Sequence, residues 1–145
     1  MSQGGAAALI ANPPLDVNAA VLEQVYPTIE EAIGNRLALH VGDWARALTP
    51  LLSLQLRPRL GLTAAALRPV DGVRRLKCDK LFISGGGDAH TTAEQSRALF
   101  AAATEPKELW LIQNAKHVDL HRRATEEYEQ RVLRFFATTL RHKSE

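Results

Sequence analysis

The 145 residues fit one ordinary globular domain, and 46% apolar against 23% charged residues excludes a disordered chain. The net charge of +2 comes from 18 basic and 16 acidic residues, with the arginines dispersed (Arg57 and Arg59, Arg74 and Arg75, Arg122 and Arg123), so no nucleic-acid partner is expected. No stretch nears the ~20 apolar residues of a membrane span, no secretory leader is visible, and the single Cys78 excludes an internal disulfide framework and a cysteine zinc site, so a cytoplasmic location is expected.

In chain order, Gln3 to Ala11 is small and apolar and reads as a tightly packed helix stopped by Pro13 and Pro14. Val17 to Leu22 reads as a buried strand or, equally, a helix start. Thr28-Ile-Glu-Glu31 is a capping box that opens a helix to about Leu39. A second helix is expected from about Asp43 to Gln55, kinked or broken at Pro50. Arg57 to Gly61 reads as a turn, and Thr63 to Leu67 as at most one or two helical turns. Lys80 to Ser84 is a short strand running into three glycines. Thr91-Thr-Ala-Glu94 is a second capping box, for a helix to about Ala103. Glu108 to Ile112 is another strand. The last helix, Thr125 to Leu140, carries Tyr128, Val132, Phe135, Phe136 and Leu140 on one face. Short apolar strands alternating with helices predict an α/β fold with a mostly parallel sheet, whose chemistry sits at the strands' carboxyl ends.

Those ends are the loops 84–90 and 113–121. The first carries Gly85-Gly-Gly-Asp88, the second Asn114-Ala-Lys-His117. Neighbouring strands lie about 4.8 Å apart, so Asp88 can reach His117. An acid that fixes the tautomer of an imidazole makes a general base. A nucleophile is then required. Ser2-x-Gly4 before a helix matches part of the G-x-S-x-G elbow, with Gly4, Gly5, Ala6 and Ala7 small enough to close the helix on the sheet.

With the order Ser2, Asp88, His117, the chain resembles the C-terminal portion of an α/β-hydrolase that begins inside the nucleophile elbow. The likeness runs over nearly all of 1–145. It implies a truncated α/β-hydrolase domain, with a helical cap insertion at about 27–69 and a C-terminal core at 70–145 that bears the acid and base. It implies Ser2 as nucleophile, His117 as general base, Asp88 as its orienting acid, and the backbone N–H of Gln3 as an oxyanion donor. The expected activity is acyl transfer to water from an ester, thioester or amide. No cofactor and no metal are called for, and the partner is a small-molecule acyl substrate. The apolar residues at 48–62 favour an uncharged or acyl group. Asp79 stands where such strands begin with proline, and Asn114 and Lys116 where glycines are common. The family's early strands and second oxyanion donor precede the elbow, so slow turnover is expected of the chain alone; one donor is worth about a hundredfold.

Other chemistries stay open at this point. His117-x-Asp119-x-His121 has a spacing that metal sites use. Ser2 would be an N-terminal nucleophile if Met1 were removed. The glycine run lacks the frame of a phosphate loop. The alternative to an enzyme is an inactive remnant or interaction protein that forms a homo-oligomer through an exposed sheet edge.

Overall fold

The computed structural model describes residues 2–117 and 119–142, with the side chains of Ser2 and His142 outside the description. Three parallel strands lie side by side in sequence order: β1 (Ala19–Glu23), β2 (Asp79–Gly85) and β3 (Lys107–Ile112). The helices are α1 (Ser2–Ile10), α2 (Ile29–Val41), α3 (Thr49–Leu54), α4 (Leu56–Leu60), α5 (Pro69–Arg75), α6 (Ala93–Ala102), α7 (Leu120–Arg123) and α8 (Thr125–His142). Two 3-10 segments, Asp43–Leu48 and Ala64–Ala66, join the short helices after α2.

β2 is central, and every residue from Lys80 to Gly85 is buried. A strand covered on both faces needs a continuous apolar run, which Leu81-Phe-Ile83 supplies. Phe82 points to one face, with Leu22, Val73, Leu76 and Leu99, against α1, α5 and α6. Leu81 and Ile83 point to the other, with Trp110, Leu120 and Phe135, against α7 and α8. Lys80 is the polar intruder. Its Nζ donates to the carbonyls of Leu76 (3.0 Å) and Cys78, and burial pushes its pKa down.

Several expectations are corrected. Arg57 to Gly61 is not a plain turn: α4 occupies it, because Pro58 sits in the first helical turn and Gly61 ends the helix at φ 69°. The break in the second predicted helix falls before Pro50, which becomes an early residue of α3. The second capping box is one residue later. Thr92 caps α6 and Gln95 answers it, because Thr91 is buried and its hydroxyl donates to the Gln24 carbonyl. In the first box Glu31 takes the Thr28 hydroxyl at 3.0 Å rather than the backbone N–H. On α8, Leu140 stays exposed while Thr139 is buried and donates to Asp79. Helices α5 and α7 carry no periodic run long enough to be anticipated.

α1 and α5 cross where Gly72 meets the backbone of Leu9, and a Cβ there would overlap the Leu9 carbonyl. The Gly72→Ala variant is expected to lose about 1–3 kcal/mol, read as a lower urea midpoint with unchanged slope. A wild-type midpoint would show that the helices can part at no cost.

Candidate active site

The site is built from the ends of all three strands. Gln24, just after β1, is buried with φ 50°, and its N–H donates to Ile83. Its side-chain amide reaches the Lys116 carbonyl at 3.4 Å, and its own carbonyl accepts from Thr91. One residue therefore touches the loops after β2 and β3. The glycines join those two loops directly. Gly86 N–H donates to Ile112 at 2.8 Å and Gly87 N–H to Ala115 at 2.9 Å. A Cβ on Gly85 would strike the Ala115 carbonyl. Asn114 takes the left-handed turn at φ 57°, a conformation asparagine tolerates.

This junction brings together the two residues expected from the sequence. His117 Nδ1 lies 2.8 Å from Asp88 Oδ2. A carboxylate oxygen only accepts, so Nδ1 donates, and in the neutral ring the lone pair is then on Nε2. The Asp88 side chain has 0% exposure, and its Oδ1 accepts from the backbone N–H of His90 (2.7 Å) and Thr91 (3.0 Å). The His117 side chain is 27% exposed and lines a cavity of about 110 Å³ with Gln3, Tyr26, Ile33, Arg36 and His90. Gln3 belongs to the first turn of α1, where backbone N–H groups have no acceptor within the helix. Ser2 opens that helix, and its side chain lies outside the described residues.

The spaced trio 117, 119 and 121 is divided among three partners. His117 goes to Asp88, His121 to Glu129 at 2.9 Å, and Asp119 caps α7. Among the described residues no group of three His, Cys, Asp or Glu side chains could hold a metal ion. An opening of about 740 Å³ between α2 and the helices that follow it is lined by Glu30, Arg46, Ser53 and Leu54 and does not include His117.

No protein-family model and no curated protein sequence matches the chain. Solved structures do. An esterase from Pyrococcus furiosus superposes over 96% of the chain with a TM-score of 0.66 at 15% identity. An α/β hydrolase from a lagoon-sediment metagenome of Mar Chica, Morocco, covers 94% with a TM-score of 0.60 at 20% identity. A puromycin-hydrolyzing peptidase from Mycobacterium tuberculosis covers 96% with a TM-score of 0.68 at 19% identity. The chain has the α/β-hydrolase fold. It spans 52%, 58% and 21% of the length of those three structures, respectively.

Within this portion of the α/β-hydrolase fold, several residues at the site carried no motif. Asn35, buried on α2, donates to the His90 carbonyl (2.9 Å) and Gln95 (2.8 Å) and accepts from Arg46 (2.9 Å). It pins α2 beside the acid loop. The His90 ring lies 4.7 Å from the His117 ring, and its Nδ1 is buried with no hydrogen-bond partner. Burial holds the His90 pKa below the usual histidine value, helped by His117 and Arg36 and opposed by Asp88. Only the position of His90 two residues after Asp88 could have drawn notice to it.

The sign of that shift sets a prediction. A depressed histidine pKa means the unfolded state binds the proton first, so this group costs stability as pH falls through about 6.5. In a ¹H–¹⁵N NMR titration His90 is expected to titrate below free histidine, and lower still in Asp88→Asn. An unchanged or higher midpoint in that variant would contradict the electrostatic account.

Proposed function

We propose that the chain acts as a serine hydrolase, transferring an acyl group from an ester, thioester or amide to water through Ser2, His117 and Asp88. The 2.8 Å contact between Asp88 and the partly exposed His117 carries this reading. Support also comes from Gln3, the neighbour of Ser2, lining the same cavity as His117. The neighbours named as esterase and peptidase break acyl bonds, which fits the same chemistry.

In the proposed reaction the Ser2 hydroxyl oxygen bonds to the substrate carbonyl carbon while His117 Nε2 takes the hydroxyl proton. Asp88 keeps Nδ1 protonated and balances the imidazolium. The carbonyl oxygen, now negative, accepts from the Gln3 N–H. Collapse breaks the bond to the leaving group, which takes the proton from His117. Water then repeats the sequence on the acyl-enzyme, with His117 as base, and releases the acid and free Ser2. The segment 27–69 serves as a cap over this site, and the protein works in the cytoplasm, a placement supported by one buried thiol in place of a disulfide framework. Among the described residues no helix is long and apolar enough to cross a membrane.

A fluorophosphonate probe is expected to label the wild-type chain, with labelling lost in Ser2→Ala and reduced about a hundredfold or more in rate in His117→Ala. Absence of labelling in a folded sample, or labelling that survives Ser2→Ala, would overturn the assignment.

We also infer a capacity for self-association. β1 pairs on one side only among the described residues, and Trp44, Leu51, Leu54 and Leu60 are each at least 60% exposed. Sedimentation is expected to give a dimer or larger species that Leu51→Glu with Leu54→Glu shifts towards monomer. A wild-type monomer at high protein concentration would exclude it.

A further inference from the structure

We propose, building on the acyl-transfer reading above, that the cavity beside His117 takes short acyl substrates bearing a carboxylate, and that Arg36 binds that carboxylate. The apolar residues at 48–62 led to the expectation of an uncharged or acyl substrate; Arg36 in the lining of this cavity argues for an acyl substrate that is charged.

Four α2 residues line the cavity: Ile29, Ala32, Ile33 and Arg36. Their spacing of three, four and seven puts them on one helix face. The first three make an apolar wall, and Arg36 supplies a charge further along it. Arg36 is exposed at the rim of the cavity and, among the described residues, has no carboxylate paired with it, so its guanidinium is open to a ligand. Asp88, the carboxylate under the cavity, is already committed to His117 and two backbone N–H groups. The remaining polar lining, His90, Thr91, His117, Tyr26 and Gln3, adds no carboxylate.

The positive field reaches the neighbouring rings. Arg36 is one of the groups that hold the His90 pKa down, together with His117 and, more weakly, His40. It also acts against the upward shift that burial imposes on Tyr26. Asp88, beneath the cavity, opposes the effect at His90, and the lining itself carries no carboxylate. Guanidinium and carboxylate match geometrically, with two parallel N–H donors meeting two oxygens.

Size narrows the ligand. A cavity of about 110 Å³ is smaller than the ~150 Å³ that admits benzene, so the acyl part is a short chain. Position is set by the neighbouring Asn35, which ties α2 to the His90 carbonyl and to Gln95. That tie sets the α2 backbone at Arg36 beside the loop that carries Asp88 and His90. A substrate with its carboxylate on Arg36 would have its carbonyl directed towards the start of α1.

The probe is succinamate, a short acid with one carboxylate and one amide carbonyl, compared with neutral succinamide. NMR titration of the full chain is expected to show succinamate binding with a rise in the His90 midpoint, and succinamide binding at least about tenfold more weakly. Arg36→Gln is expected to abolish that preference, and Arg36→Lys, which keeps the charge but not the fork, to restore part of it. Equal binding of the two compounds, binding of neither, or an unchanged preference in Arg36→Gln would overturn the proposal. Fluorophosphonate labelling separates the two claims. Labelling without succinamate preference leaves acyl transfer standing and removes the anionic substrate. Succinamate preference without labelling overturns the substrate assignment together with acyl transfer and leaves an anion-binding pocket.

Discussion

A carboxylate removed from water must be met by donors, and the end of this sheet is arranged around that demand. The Asp88 side chain is wholly buried, and it accepts from two backbone N–H groups and from the His117 ring. An unpaired charge in such a place would cost several kcal/mol. The loop 88–91 is therefore wound so that its own N–H groups turn inward. The same demand fixes the ring of His117, because Nδ1 is the third donor.

Meeting that demand needs two loops from different strands at close quarters. The glycines after β2 permit it, since Gly86 and Gly87 donate to the backbone of the His117 loop and Gly85 leaves no room for a side chain. Gln24 extends the junction to the third strand. Asn35 extends it to α2, and with α2 comes the face that ends in Arg36. The path from the sheet to the cavity is thus a chain of buried polar contacts. Each link is satisfied apart from Nδ1 of His90, left unpaired against the His117 ring. That unpaired nitrogen belongs to the same cavity that Arg36 lines.

Much of this was legible in the sequence, for physical reasons that differ by element. The strand at Leu81-Phe-Ile83 could be read because burial on both faces demands an unbroken apolar run. Asp88 and His117 could be paired because parallel strands deliver their C-terminal ends to one side of the sheet. The second capping box was legible only to within one residue. Thr91 and Thr92 both satisfy the local pattern, and tertiary contacts chose between them by drawing Thr91 to Gln24 and Asp88. Gln24, Asn35 and Arg36 carried no signal. A buried amide or an unpartnered arginine belongs to no spacing rule, and its role depends on which distant loop it meets. Pro58 misled in the other direction, since proline breaks a helix interior but not a first turn.

The proposed acyl transfer depends on Asp88 holding His117 with Nδ1 protonated and Nε2 free to act as a base. The most direct measurement is the tautomeric state of His117 at neutral to mildly alkaline pH, read from long-range ¹H–¹⁵N correlations. The expected result is a neutral imidazole with its proton on Nδ1, and loss of that preference in Asp88→Asn. A proton on Nε2, or a tautomer indifferent to Asp88→Asn, would contradict the account at its base.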